Sequence, residues 1–296
     1  MLGLELRDTL AVAVALDDRG QVLARAEADA GADLSAAAFA ALDRVRAASP
    51  GTSWPGVAST NPDSAATLAV LQSLASRHAG PFLHEAAIAS GTAAAVAETW
   101  IGAARDVHDA VYFAVADRTT AGIVRNGVRV TGAHRRAPAI AWLALNPVER
   151  EDYRKVGCLE AEVAAAGIVR RLVWRIKAGD RSRVQDLVND DLAAITLEQV
   201  LEAARQGDGV SISVVRDTAK YLGMAAANLV AIADPEMLVL GGVMSAAADL
   251  FLEPVRTELA RRLPGPMMQA LAVAPALLGA DAPAIGAARL AAAAPQ

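Results

Sequence analysis

The stretch Glu98–Gly132, ETWIGAARDVHDAVYFAVADRTTAGIVRNGVRVTG, organises the reading of this chain. It gives a helix end, a buried strand over Ala110–Val115, a tight turn, a second strand over Ala121–Arg125 and an Asn126-Gly127 hairpin turn. Asn-Gly between two apolar runs is a strong hairpin signal, because both residues accept the positive φ that a type I′ turn demands. The turn joining the two strands reads Ala116-Asp117-Arg118-Thr119-Thr120. A phosphate-cradling turn needs several glycines there, so that backbone amides come close to the anion. The scaffold of such a loop is legible; its phosphate chemistry is missing.

Working outward, 296 residues suffice for two lobes with a core each. Hydrophobic residues make up 54% of the chain, many of them alanine, which predicts closely packed helices rich in small residues. A net charge of −5 argues against a nucleic-acid surface over the whole chain. Met1-Leu2-Gly3 leads directly into a strand-like segment and charge arrives at Glu5, which is no secretory pattern. The longest uncharged run, Leu263–Ala280, is broken by Pro264, Pro266 and Pro275, so no membrane span is expected. The single cysteine, Cys158, rules out an internal disulfide. A cytoplasmic protein is expected.

In chain order, Leu2–Leu16 and Gln21–Ala28 predict a meander of strands around the turn Asp17-Asp18-Arg19-Gly20. Asp33 or Ser35 can cap a helix reaching Ala47, and Asp63 one over Ser64–Ala79. Ser53–Thr60 and Glu85–Ala89 are short strands, and Gly91–Gly102 is a helix. The later helices are predicted over Cys158–Ile176, Asp180–Asn189, Thr196–Gln206, Val210–Ile232, Ser245–Arg262 and Pro283–Ala293. Strands fall at Met237–Leu240 and Leu271–Pro275.

This order, and the wording of four stretches, resembles the ROK family of bacterial sugar kinases, repressors and uncharacterised relatives. The stretches are AAAVAETWIGAARDVHDAVYFAV, AGIVRNGVRVTGA, NLVAIADPEMLVLGGVMSAAADLFLEPVR and LAVAPALLGADAPAIGAARLA. The resemblance implies an α/β fold of two actin-like (ribonuclease H-like) lobes around a cleft. The small lobe would hold residues 1–90 joined by the C-terminal helix 281–296, and the large lobe residues 91–280. It also implies a homodimer. ROK repressors carry a winged-helix domain ahead of this body; Met1 stands directly before the first strand, so direct DNA binding is not expected.

The departures from the family pattern bear on function. Family kinases open with Asp-x-Gly-Gly-Thr, where this chain has Glu5-Leu6-Arg7-Asp8-Thr9, an ordinary hairpin turn. The family's catalytic Asp, which takes the proton from the sugar hydroxyl attacking the γ-phosphate, falls on Ser90 or, in another register, on Ala87. Neither is a carboxylate, and Glu85 is the one nearby substitute. The second phosphate loop, Gly-Thr-Gly-x-Gly-Gly, is Ala116-Asp117-Arg118-Thr119-Thr120-Ala121. The family's sugar- and zinc-touching Glu-x-Gly-His is Ala139-Ile140-Ala141-Trp142, and its cysteine knuckle is Glu151–Cys158 with one thiol left, so no zinc is expected. The loop with a sugar-binding asparagine is reduced to Ser59-Thr60-Asn61-Pro62. Gly241-Gly242-Val243-Met244-Ser245, which in the family meets the adenosine, survives, and any strand-to-helix turn could use it too.

Two features are new. Each former phosphate loop carries an Arg-Asp neighbour pair, which suggests Arg7 with Asp117 and Asp8 with Arg118, or else two arginines gripping an anion. Arg170, Arg171, Arg175, Lys177, Arg181 and Arg183 form a basic amphipathic face, either solvated or a partner surface. The candidate ligand residues are Asn61, Ser90 and Trp142; the nucleotide-side residues are Arg7, Asp8, Thr9, Asp117, Arg118, Thr119, Gly241, Gly242 and Ser245. The expectation is a non-catalytic sugar-kinase homologue, needing no cofactor, that binds a sugar-like ligand or a protein partner. The alternatives are an ATP- and Mg-dependent sugar kinase with an unusual site, and a structural protein whose cleft is filled by its own side chains.

Overall fold

The computed structural model describes residues 1–50, 54–77 and 87–293. The chain begins with strands β1 (Leu2–Leu6), β2 (Leu10–Leu16) and β3 (Val22–Asp29), then helix α1 (Leu34–Ala48), β4 (Pro55–Ser59), α2 (Ala65–Ser76), β5 (Ile88–Ala89) and α3 (Ser90–Ile101). The decisive stretch forms β6 (Ala110–Val115), β7 (Thr119–Arg125) and β8 (Val128–Val130). Helices α4 (Glu151–Val156), α5 (Cys158–Val163), α6 (Ala165–Lys177), α7 (Arg183–Leu187), α8 (Leu197–Arg205) and α9 (Gly209–Ala233) follow. Then come β9 (Met237–Gly242), α10 (Val243–Ala246), α11 (Ala248–Arg262), α12 (Gly265–Ala270), β10 (Ala272–Pro275) and α13 (Ala282–Ala293). Asn126 and Gly127 sit at φ 49° and 72°, as a type I′ turn requires.

One sheet has the order β3-β2-β1-β4-β5, the other β10-β9-β6-β7-β8. In the first, β1 and β2 are buried from end to end except at Leu10 and apolar except at Glu5, as strands covered on both faces are. Leu2, Leu4 and Leu6 face a core shared with Leu42, Val45, Val70 and Leu74 of α1 and α2. The alternate residues Gly3 and Glu5 face the other way. There α13 lies so close that a Cβ on Gly3 would stand 1.9 Å from the Ala284 carbonyl oxygen.

The chain divides into two compact units: Met1–Tyr112 with Ala121–Pro138 and Leu277–Gln296, and Phe113–Thr120 with Ala139–Ala276. By this division α3 and Ala121–Pro138 group with the N-terminal strands, although β7 and β8 pair within the second sheet. The reason is contact between small residues. A Cβ on Gly91 of α3 would meet the Ala121 backbone at 2.3 Å, and one on Gly286 of α13 the Ala93 carbonyl oxygen at 1.8 Å.

Several boundaries differ from expectation. Asp33 does cap α1, accepting from the amides of Ser35 and Ala36. For α2 the cap is Ser64 rather than Asp63, whose carboxylate pairs with Arg136. The predicted helix Cys158–Ile176 breaks at Ala164, because the Ala165 amide donates to Ala116 at 3.0 Å instead of continuing the helix. The loop 116–118 is thereby tied to α6.

In the second unit Asp208 joins two helices. Its carboxylate accepts from the Ser211 amide of α9 (2.9 Å), the Ser182 hydroxyl (2.9 Å) and the Arg183 amide of α7 (3.0 Å). Burial alone would raise its pKa, but these donors outweigh burial and hold it below the ordinary 3.8. Its stabilisation is therefore complete above pH 3.8 and is lost as pH falls through the lowered value. Asp208→Ala should cost ~1–3 kcal/mol at neutral pH through a lost cap and orphaned buried donors. Urea titrations at pH 7 and pH 3 check this: the difference between wild type and variant should shrink at the lower pH.

Candidate functional site

Each unit carries one of the two loops that sequence reading put beside a nucleotide. In the first unit, β1 and β2 are joined by a tight turn closed by the Arg7 amide on Leu10 O at 2.8 Å. The Arg7 side chain folds back: Nε and Nη2 donate to Glu5 Oε2 at 2.8 and 2.6 Å, and Nη2 also to Ala280 O at 2.7 Å. Glu5 is buried, 2% exposed, because β1 points it at α13. Burial pushes its carboxyl above the ordinary 4.5, and the Arg7 charge partly offsets that. Next to this pair Arg25 Nε bridges Asp281 at 2.9 and 3.0 Å.

Ser90, the first residue of α3, is also 2% exposed. It lies close enough to the Glu5 carboxylate to favour its charged form, yet its Oγ makes no well-formed hydrogen bond. Tyr112 is buried in the same unit; burial, then the charges of Glu98 and Glu5, push its phenol well above 10. Asn61 is exposed, in the turn after β4, its backbone held by Ser59 Oγ at 3.0 Å and Thr67 Oγ1 at 3.0 Å. Glu85 lies outside the described residues.

In the second unit the turn 116–118 is closed by the Ala116 amide on Arg118 O at 2.9 Å. Arg118 Nη1 meets Glu160 Oε1 at 2.9 Å, and the Thr119 amide and hydroxyl meet Glu160 Oε2 at 2.9 and 3.2 Å. Glu160 belongs to α5, all six residues of which are buried. Within its own unit each arginine thus holds a buried carboxylate, Glu5 or Glu160, that sequence reading did not assign to it. The one available signal was an acidic residue inside an otherwise apolar strand or helix: LGLEL and CLEAEV.

The surviving glycine pair has a packing reason. Gly242 sits at φ 62°, and a Cβ there would stand 2.0 Å from Val115 O, so the end of β9 meets β6 backbone to backbone. Ser245 Oγ donates to Gly242 O at 2.9 Å, closing the turn into α10. Trp142, in a 3₁₀ turn over Ile140–Trp142, is 58% exposed.

The segment 151–158 forms α4 and the start of α5. Cys158 joins a small apolar cluster with Tyr153, Val156 and Leu145. Among the described residues no group of three or more His, Cys, Asp or Glu side chains is placed to hold a metal ion. Of the six basic residues from Arg170 to Arg183, Lys177, Arg181 and Arg183 are exposed, while the three arginines inside α6 are ion-paired. Arg170 pairs with Asp152 at 2.9 Å, Arg171 with Glu162 at 2.7 Å and with Thr218 Oγ1 at 2.9 Å, and Arg175 with Asp180.

Among curated proteins, the glucokinase of Halalkalibacterium halodurans is 32% identical over 165 residues, 55% of this chain and 50% of that protein. The DNA-binding transcriptional dual regulator NagC of Escherichia coli K12 is 29% identical over 164 residues, 55% of this chain and 39% of that one. The chain spans about half the length, or less, of these curated relatives. Among solved structures, a ROK family glucokinase from Streptomyces griseus, in complex with glucose and AMPPNP, aligns with a TM-score of 0.83 at 22% identity, covering 98% of both chains. A ROK family transcriptional regulator, a homologue of the E. coli MLC protein, aligns at 0.81 and 19% identity, over 98% of this chain and 78% of that one. These likenesses show the fold, a mixed α/β architecture of the actin-like ATPase kind. The ROK family model matches residues 36–294, nearly the whole described chain, and the protein therefore belongs to the ROK family.

Proposed function

We propose that this chain is a non-catalytic sugar-kinase homologue that binds a small sugar-like ligand. The observation that carries the proposal is the clamping of Arg7 by buried Glu5 and Ala280 O, at the loop where family kinases place glycines. Glycines leave backbone amides open to phosphate oxygens. Here the loop presents a guanidinium already neutralised by a carboxylate, and Glu160 does the same for Arg118. Neither Ser90 nor Ala87, the two positions on which the family's proton-accepting Asp falls, can serve as a carboxylate base. Support for the ligand class comes from the glucokinases among the relatives. The same reading needs neither zinc nor ATP, and its assembly as a homodimer is to be read from molar mass in solution.

The experiment is thermal stability against Mg-ATP, hexoses, amino sugars and sugar phosphates. A ligand at a hundred times its dissociation constant should stabilise by ~2.7 kcal/mol. The expected outcome is a rise in melting temperature with a sugar and none with Mg-ATP. A rise with Mg-ATP would return the active kinase reading. No rise with any compound would leave the chain as a structural or partner-binding protein.

A further inference from the structure

Among the described residues each sheet has two outer edges, and all four are blunted, two by shortness and two by an arginine. β5 and β8 are two and three residues long, too short to recruit a strand. The longer edges, β3 and β10, are met by an arginine from a flanking helix. Arg44 Nη1 of α1 donates to Glu27 O of β3 at 2.8 Å, and Arg256 Nη2 of α11 to Val273 O of β10 at 2.6 Å. In β10, Pro275 also lacks an N–H.

The backbone direction of β3 follows from its neighbours. The amide of Ala30 donates inward to Thr9 O at 2.8 Å. Alternation then turns the N–H and C=O groups of Arg25, Glu27 and Asp29 outward, to the unpaired edge. The register with β2 is continuous from Leu10↔Asp29 to Ala15↔Ala24 and shifts only beyond it. A groove of about 510 Å³ runs along this edge, lined by Glu27, Asp29, Asp33, Ala36, Ala40 and Arg44.

The edge is complementary to itself. An antiparallel pairing of two β3 strands about a two-fold axis at Ala26 sets Arg25 opposite Glu27 of the other copy, twice. Arg25 N–H would then donate to the other copy's Glu27 O, the atom that Arg44 now occupies. Opposite charges directly across a strand pair favour pairing. We propose that Arg44 is an edge guard: by holding the Glu27 carbonyl it keeps β3 from pairing with β3 of a second copy of this chain.

The test is molar mass by light scattering for wild type and variants at matched concentration, with a thermal melt for each. R44A should run at twice the wild-type mass, whatever assembly the wild type has. Arg44→Met, which keeps most of the side-chain stem but no donor, should do the same, and Arg44→Lys, which keeps a donor, should stay at the wild-type mass. Adding E27R to R44A places Arg25 opposite Arg and should restore the wild-type mass. Adding R25E as well swaps the pair and should double the mass again. The proposal fails if R44A and Arg44→Met keep the wild-type mass, or if E27R leaves the association unchanged.

Discussion

Glu162→Ala should be among the most destabilising single substitutions in this chain, at ~3 kcal/mol. The carboxylate is 5% exposed and accepts from Tyr153 OH, from Arg150 Nη1 at 3.0 Å and from Arg171 Nη2 at 2.7 Å. Removing it leaves two guanidinia and a phenol without their common acceptor. Breaking a buried ion pair from one side costs ~3–5 kcal/mol. The lower end applies because Arg150 and Arg171 keep 27% and 15% of their side-chain surface in solvent. Arg150 is further committed to Asp152 at 3.0 Å and to the Trp174 ring, whose centroid lies 4.8 Å away. A melting temperature lower by several degrees is expected, since each kcal/mol moves a protein of this size ~2–4 °C. Glutamine, which keeps the volume and one acceptor oxygen, should cost less. The segment 151–158 is where the family resemblance puts a zinc knuckle, so the same melts in chelator are informative. Wild type should be unmoved by chelation and the variant should not be rescued by zinc.

Gly242→Ala should cost a comparable amount. The backbone there, φ 62° and ψ −133°, is a region that only glycine enters readily, and forcing a side chain into it costs ~1–3 kcal/mol. The new Cβ would lie 2.0 Å from Val115 O, a backbone atom that cannot swing aside, which adds ~1–3 kcal/mol of overpacking. Urea unfolding measures the sum. If Gly242 served only a ligand, the unliganded variant would unfold like wild type. A loss of several kcal/mol without ligand shows why this glycine remains while its phosphate-loop counterparts do not.

Legibility in the sequence followed the range of the interaction. Asn126-Gly127 and Asp33 announce local geometry, and the structure places a hairpin turn and a helix cap on them. The four stretches with family wording led to the fold because the strands they encode pair along their length. Ala164 could not be read as a break, since its cause is a carbonyl at Ala116, far back in the chain. Glu160 finds Thr119 and Arg118 across 41 and 42 residues, so nothing in CLEAEV reveals the partners. Arg171 and Arg175 looked like a charged face for the same reason. Helical spacing shows which residues share a side, but not that Glu162, Thr218, Ser213 and Asp180 stand opposite them.

The helix α13 has a consequence for how the protein is made. It is the last element of the described chain, yet it fills the face of the first sheet that Gly3 and Gly56 leave open, with carbonyls of Ala284 and Ala287 where side chains would otherwise project. During synthesis β1 and β4 leave the ribosome before this helix and wait for it until the intervening residues have been translated. The contact between these strands and α13 therefore closes late, across a long stretch of chain whose loop-closure entropy it must offset. In the interval the sheet face that α13 covers stays open.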